Sequence, residues 1–243
     1  MDEVRALPAL TARQMAAVDR AMVEAFHLDT LQIMELAGWA VAGFSRAHFL
    51  GGNPQGKRVL VLAGSGGNGG DGMVAGRDLH NWGAHVEVWL SHEPGTLHGP
   101  AAHQAAAVAA LGVELHPPSL AGPPSLPPAD LLIDALLGFS LAGAPTGATA
   151  SLIRAANASG VPILAVDLPS GLDATSGLVY DPCIVATATL TLAAPKTGLM
   201  AASARPVRGE LFVADIGIPP EAIEAEGVDM GRIFAQREFI RLE

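Results

Sequence analysis

The sequence is poor in cysteine and aromatic residues, and it has no long apolar run. Its single cysteine, Cys183, excludes a disulfide within the chain and a cysteine-rich zinc site, and it is interpreted as a small core residue. Aromatic residues make up only 5% of the chain, so alanine, leucine and valine must form most of the core. No apolar stretch approaches the roughly 18 residues that cross a membrane, and the first ten residues lack the features of a signal peptide. These absences predict a cytoplasmic protein that does not contact a membrane.

Basic residues are also scarce. The chain has 14 Lys and Arg against 24 Asp and Glu, for a formal net charge of −10. A nucleic-acid backbone requires a basic surface, so no nucleic-acid partner is expected. An anionic ligand would have to be held by backbone amides and helix ends. Lysine occurs only at Lys57 and Lys196; Lys196 follows a predicted strand and is either a phosphate contact or a solvated loop residue.

The 243 residues, half of them hydrophobic, suffice for one large domain or at most two small ones. Two helices come first. Each opens on a capping-box pattern, Thr11 with Gln14 and Asp29 with Gln32. In the first of them Val18, Met22 and Phe26 recur at helical spacing.

Short apolar runs then alternate with helical segments. Strands are predicted at 58–63, 85–90, 131–135 and 162–167, with later ones at 186–194 and 209–217. Continuous apolar strands alternating with helices predict an α/β fold, a Rossmann-like three-layer α/β/α sandwich with a mostly parallel central sheet. We expect residues 1–220 to form a single domain, with 221–243 as an unassigned C-terminal tail. The proline-rich stretch 117–130 is predicted to be a rigid connector between two strands.

Three of the predicted strands lead into loops that contain glycine, and an acidic residue lies in each loop or just before it. The loops are GSGGNGGDG at 64–72, LLGFSLAGAPTG at 136–147 and DLPSGLDATSG at 167–177, and the acidic residues are Asp71, Asp134 and Asp167. Ligands of parallel sheets bind beyond the carboxyl ends of the strands, so this convergence predicts a site there.

Each loop residue leaves more than one interpretation open. Asp71 is either a helix cap, which we favour, or a ligand contact. Asn68 suits a tight turn but also offers an oxygen to a hard cation. Asp134 and Asp167 close apolar strands, where a carboxylate is either hydrogen-bonded to loop amides, a cation ligand or an acid/base group. Oxygens from Asn, Asp and Ser suit K⁺, Na⁺ or Mg²⁺ rather than zinc.

In this order, the loops resemble the YjeF N-terminal domain family, the NAD(P)H-hydrate epimerases. The resemblance runs from about Thr11 to Pro219 through TARQMAAVDRAM, IMELAGWAVA, GGNGGDGMVAGRDL, DLLIDALLGFSLAGAP, LAVDLPSGLDATSG, LTLAAPKTGL and GELFVADIGIP. It implies epimerisation of the R and S forms of hydrated NADH and NADPH (NADHX and NADPHX) in nicotinamide cofactor repair. It also implies a homodimer, one K⁺ per subunit, and a separate ADP- or ATP-dependent dehydratase in the same pathway.

The resemblance carries the family's site onto particular residues. The implied metal ligands are Asn68, Asp134 and Ser170. The implied substrate contacts are Gly67, Asn68, Gly69, Gly70, Asp71, Gly138, Phe139, Ser140, Leu141, Ala142, Gly143, Ala144 and Asp167. Asp167 is the hypothesised catalytic acid/base. The family has a second Asn immediately before the one aligned with Asn68, whereas this chain has Gly67.

Two other interpretations compete with epimerisation. A nicotinamide oxidoreductase would carry an Asp or Glu at the end of its second strand to bind ribose; here Glu87 lies within the strand and Glu93 lies beyond its end, and neither matches. A catalytically weak scaffold of the same fold, binding a nucleotide or a protein, is the alternative function, and Gly67 is the residue that favours it.

Overall fold

The computed structural model describes residues 4–118 and 124–243. In chain order the elements are β1 (Val4–Arg5), α1 (Ala12–Glu24), α2 (Thr30–Phe44), β2 (Arg58–Ala63), α3 (Gly67–Asn81), β3 (His85–Leu90), α4 (Gly99–Ala110), β4 (Glu114–His116), β5 (Leu131–Ala135), α5 (Gly147–Ala158), β6 (Ile163–Val166), β7 (Ala188–Leu192), α6 (Thr197–Met200), α7 (Arg205–Arg208), β8 (Glu210–Ala214), α8 (Pro220–Glu224) and β9 (Phe239–Leu242). Part of the predicted connector, residues 119–123, lies outside the described residues.

Both predicted capping boxes are confirmed. The Gln14 amide donates to Thr11 Oγ1 at 3.3 Å, and the Thr11 amide donates back to Gln14 Oε1 at 2.9 Å. Asp29 and Gln32 exchange the same pair of bonds at 3.0 and 2.9 Å. These bonds satisfy amides that the first helical turn leaves unpaired, which fixes where α1 and α2 begin. Phe26 departs from the prediction, since it lies beyond the end of α1 and is 37% exposed.

The strands form one sheet in the order β1-β9-β8-β7-β6-β5-β2-β3-β4. Neighbouring strands are parallel except β8 and β9, which are antiparallel. The chain runs from β2 outward to β4, then returns to β5 beside β2 and proceeds to β8 in the other direction. The loops after β2 and β5 therefore diverge at a switch in strand order, which is where parallel sheets bind ligands.

Helices cover both faces of the sheet, which confirms the predicted three-layer sandwich. Alternate residues of β2 point to opposite faces. Val59 and Val61 pack in the cluster that contains residues of α2, α3 and α4. Leu60 and Leu62 pack in the cluster that contains residues of α5. Since both faces of each central strand are buried, the strands are continuous apolar runs rather than alternating ones.

The stretch 221–243, unassigned from sequence, contains a strand of the main sheet. In β9, Ile240 and Leu242 are each 4% exposed and pack with β8 and the α6–α7 region. β9 pairs with β8 on one side and with β1 on the other. The division of the chain at residue 220 stays a prediction. Within the described residues, no helix has both the length and the apolar character needed to cross a bilayer.

Candidate functional site

The glycine-rich loop after β2 lies directly against the end of β5. A Cβ on Gly64 would be 1.9 Å from the carbonyl oxygen of Leu136, and one on Gly69 would be 2.0 Å from that of Gly64. These two positions accept only glycine because backbone occupies the space of a side chain. A Cβ on Gly67 would have no atom within 4 Å. The chain therefore has room for a side chain at Gly67, such as the asparagine that the resemblance implied for this position.

The helix α3 begins at Gly67, with Gly66 as its N-cap and no side-chain cap. Asp71 comes after the first turn, so the favoured interpretation of Asp71 as a cap or first-turn residue is wrong. Its side chain instead lines the cavity beyond the strand ends. Burial and the nearby carboxylates of Asp167 and Asp19 raise the pKa of Asp71 well above its usual value.

The three predicted cation ligands come together at the end of β5. Asp134 is fully buried; its Oδ2 accepts from the Ser170 amide at 2.8 Å and its Oδ1 from the Ser170 hydroxyl at 2.6 Å. Ser170 Oγ accepts from the Leu137 amide at 2.9 Å. The Asn68 side-chain amide donates to the Leu137 carbonyl oxygen at 3.1 Å. Asn68 and Ser170 thus both bond to the backbone of Leu137, and Ser170 links that backbone to Asp134.

Asp134 is a buried carboxylate without a basic partner. Among the ion pairs of the described residues, none includes it. Burial raises its pKa to about 6, although hydrogen bonds from Ser170 and Leu136 act in the opposite direction. A buried carboxylate is normally paired or coordinated. Since the neighbouring polar atoms include the oxygens of Asn68, Ser170 and Leu137, the donor set fits a hard monovalent cation.

Asp167 and Lys196 form a buried ion pair at the ends of β6 and β7. Lys196 is 1% exposed and donates to Asp167 Oδ1, to Thr191 Oγ1 at 3.2 Å and to the Leu192 carbonyl at 2.9 Å. An ammonium group has three protons, so these acceptors engage all of them. The prediction of a solvated loop lysine is therefore wrong, and the contacts leave no proton for the alternative phosphate contact.

The backbone at Asp167 is unusual. Its φ is +66°, in the left-handed region that residues other than glycine adopt infrequently. Oδ1 also accepts from Thr191 Oγ1 at 3.1 Å and from the Leu192 amide at 3.2 Å. Among the described residues, no hydrogen bond is made to Oδ2. The carboxylate is thus held by one oxygen, and the other is free to meet a ligand in the cavity that Asp167 lines.

Sequence reasoning missed Asp19, which α1 brings to the same cavity. Asp19 is an exposed residue of the cavity wall. Although the residue is exposed, desolvation of its carboxyl group at the cavity wall raises the pKa of Asp19 to about 6; Lys196 acts to lower this pKa and Asp167 to raise it. The available signal was weak, since Asp19 follows Met15 by one helical turn in a segment predicted only as a helix. Three carboxylates and one ammonium group therefore share the site.

These groups line a cavity of about 480 Å³ at the carboxyl edge of the sheet. Its wall includes predicted contact residues from all three loops: Gly67, Asn68, Asp71, Gly138, Phe139, Ser140 and Asp167. Six predicted contacts are not part of the wall: Gly69, Gly70, Leu141, Ala142, Gly143 and Ala144. The wall also includes Asp19 and His92, which were not predicted, and Lys196, for which a phosphate contact was one of two interpretations.

Two other groups contribute nothing to this site. Burial raises the pKa of Cys183 to about 12, so it is a thiol and not a nucleophilic thiolate. Glu87, Glu114 and His116 bring ligand atoms within 4.8 Å of one another. They lie on β3 and β4 and are not part of the cavity wall.

A parallel sheet with a glycine loop and a cavity at its switch point defines a Rossmann-like α/β class of protein. The particular family follows from comparison. The family model described as YjeF-related protein N-terminus matches residues 30–198. The chain is 40% identical over 226 residues to the NAD(P)H-hydrate epimerase of Dehalogenimonas lykanthroporepellens, covering 93% of this chain and 89% of that protein. The chain belongs to the YjeF N-terminal family.

Other relatives support the same placement. The NAD(P)H-hydrate epimerase of Limosilactobacillus fermentum is 33% identical, with 85% of this chain and 96% of that protein covered. The Bifunctional NAD(P)H-hydrate repair enzyme Nnr of Moorella thermoacetica is 37% identical over 89% of this chain, which spans only 42% of that protein. The crystal structure of yeast ynu0 has the same fold, with a TM-score of 0.80 and 23% identity, covering 97% of this chain and all of that one.

Proposed function

We propose that the chain interconverts the R and S epimers of NADHX and NADPHX. The observation that carries this proposal is the buried Asp167–Lys196 pair in a cavity that begins beside a nucleotide-type glycine loop. Support also comes from relatives named NAD(P)H-hydrate epimerase that match this chain over nearly their whole length.

The chemistry requires an anionic site. The reacting carbon of the substrate bears a hydroxyl and is bonded to the ring nitrogen. When an acid gives the hydroxyl a proton, the hydroxyl departs as water and leaves an iminium-like cation. Water can then add to either face and return a proton to that group. Asp167 balances the charge of Lys196, and above a pH of about 6 the carboxylate of Asp19 adds a net negative charge to the cavity, so the surroundings favour that cation.

Proton transfer is assigned to Asp167. Lys196, Thr191 and Leu192 all bond to Oδ1, which keeps the carboxylate oriented and leaves Oδ2 as the atom that exchanges a proton with the departing hydroxyl or the incoming water. Asp19, whose pKa is raised to about 6, lines the same cavity and can exchange a proton with water there.

The proposal includes one monovalent cation, K⁺, held by Asn68, Asp134 and Ser170. Bound there, the cation would neutralise Asp134 and supply positive charge near a phosphate of the substrate. The support is the buried, unpaired carboxylate of Asp134 and the oxygen-only donor set around it.

The proposed partners are a second copy and a separate dehydratase. On α2, Leu36 and Trp39 are 50% and 53% exposed and lie three residues apart, on one face of the helix. An exposed apolar face supports a homodimer. An ADP- or ATP-dependent dehydratase acting in the same pathway agrees with the bifunctional name of the Moorella relative.

A chiral chromatographic assay of NADHX epimers tests the function. Wild-type protein should convert R to S, and Asp167→Asn should lose most of that rate. Asp181→Asn is the matched control, because Asp181 pairs with Arg154 on the surface and its side chain is 86% exposed. A near-wild-type rate in Asp167→Asn removes this residue from the mechanism. Nucleotide binding without epimerisation by the wild type would favour the scaffold function instead.

The cation assignment has a test of its own. Asp134→Ala should abolish the dependence of the rate on K⁺, measured by titrating K⁺ against a background of a bulky organic cation. Equal K⁺ dependence in the variant and the wild type would show that Asp134 is not a ligand.

A further inference from the structure

The cavity continues past the glycine loop to the end of β3. Its wall there includes Ser65 and Gly66 from the loop and His92 from the segment after β3. His92 is exposed at the mouth of the cavity. The Ser91 amide donates to the Ala63 carbonyl at 3.0 Å, which ties this segment to the start of the loop.

The order of the strands determines which residues lie at each end of this long cavity. Asp167 follows β6, Asp134 lies in β5, the glycine loop follows β2, and His92 follows β3; these four strands are consecutive in the sheet. Adjacent strands are about 4.8 Å apart, so about 14 Å separates the ends of β6 and β3. That span suits a ligand longer than one nucleotide, with its pyrophosphate over the start of α3 between the two ends.

The end of β3 is where Rossmann-like proteins distinguish the two nicotinamide dinucleotides. A carboxylate there binds the ribose 2′-hydroxyl, and a basic group admits a 2′-phosphate. The cavity wall includes His92 at this place but neither Glu87 nor Glu93. Glu87 is engaged by His116 Nε2 at 2.9 Å.

The His92 ring has a donor available for a ligand. Ser91 Oγ and His92 Nδ1 are 2.9 Å apart. When the hydroxyl donates to Nδ1, the ring proton is on Nε2, which is then a donor to a hydroxyl or phosphate oxygen. No carboxylate in this part of the wall would repel a 2′-phosphate.

We propose that His92 is the residue that admits the 2′-phosphate, and that the substrate lies with its hydrated ring at Asp167 and its adenosine ribose at His92. The assignment rests on the proposed function and names the part of the substrate that each end of the cavity receives. It makes NADPHX a substrate at least as good as NADHX.

Fragment binding tests the subsite without catalysis. Adenosine 2′,5′-bisphosphate and adenosine 5′-monophosphate are titrated by calorimetry into wild type, His92→Asp and His92→Gln. A lost bond to a charged group weakens binding roughly tenfold or more. We therefore expect His92→Asp to weaken the bisphosphate by at least that factor and the monophosphate by less than about twofold, with His92→Gln intermediate. His85→Asp is the control, because His85 is exposed at the opposite end of β3 and should leave both ligands unaffected.

The same variants are then assayed with both hydrated cofactors. The ratio of kcat/KM for NADPHX over NADHX should fall in His92→Asp by the same factor as the bisphosphate affinity. Equal losses for both ligands, no loss for either, or a wild type that binds neither fragment would overturn the assignment. A changed ratio in Asp19→Asn instead would mean that the substrate lies in the opposite direction. Discrimination in the calorimeter with no epimerisation by the wild type would support the subsite and reject the proposed function.

Discussion

Replacing Lys196 by methionine should be among the most damaging single changes in this chain. Methionine matches the length of the lysine stem but has no charge. It leaves Asp167, 5% exposed, with the Thr191 hydroxyl and the Leu192 amide as its remaining donors. Removing one partner of a buried ion pair costs about 3–5 kcal/mol. For a chain of this size that lowers Tm by about 6–20 °C.

The double variant Lys196→Met with Asp167→Asn separates charge from packing. It removes both charges, so we expect it to be more stable than Lys196→Met alone, with a coupling of about 1–3 kcal/mol in urea denaturation. Epimerisation should remain lost, because neither the lysine nor the carboxylate is restored. A cost below about 1 kcal/mol for Lys196→Met, or simple additivity in the double variant, would refute the description of this pair as a buried, mutually dependent one.

Three further predictions follow from other parts of the molecule. Gly64→Ala should lower the free energy of unfolding by about 3 kcal/mol or more, because the added Cβ would collide with a carbonyl oxygen. Gly67→Ala should leave the free energy of unfolding unchanged or raise it by up to about 1 kcal/mol. Equal effects of the two changes in urea denaturation would contradict the close contact at Gly64. The pKa of Asp19 is about 6 in the folded protein against an ordinary 3.8, so the protonated form favours folding and this contribution is lost as the pH rises through 6. Asp19→Asn should therefore be more stable than wild type at pH 8, and the gain in stability should be smaller at pH 4.5. Deleting residues 239–243 removes buried Ile240 and Leu242 and should cost about 3–6 kcal/mol, and a Tm within 2 °C of the full chain's would show that β9 adds little.

The sequence was informative where the determining interactions are local. The capping boxes at Thr11 and Asp29 involve residues three positions apart, and both are present. The strands at 58–63, 85–90 and 131–135 coincide with the structure because continuous apolar runs reflect burial on both faces. Ligands of parallel sheets bind beyond the carboxyl ends of the strands, and this rule predicted that the three loops meet at one site. The cavity wall includes a residue from each of these loops.

Tertiary packing decided what single residues do. Asp71 looked like a cap because an acidic residue near a helix start usually is one, but the helix begins earlier and the side chain faces the cavity. Lys196 was interpreted as a phosphate contact or a solvated loop residue because it follows a strand, and only the position of Asp167 beside it explains its burial. Asp19 was not predicted because its neighbours in the site are distant in the sequence. The sequence by itself therefore determined the layers of the fold and the edge of the sheet that carries the site. The tertiary structure decided which charges meet there, because electrostatic pairing depends on distances between loops that no local pattern records.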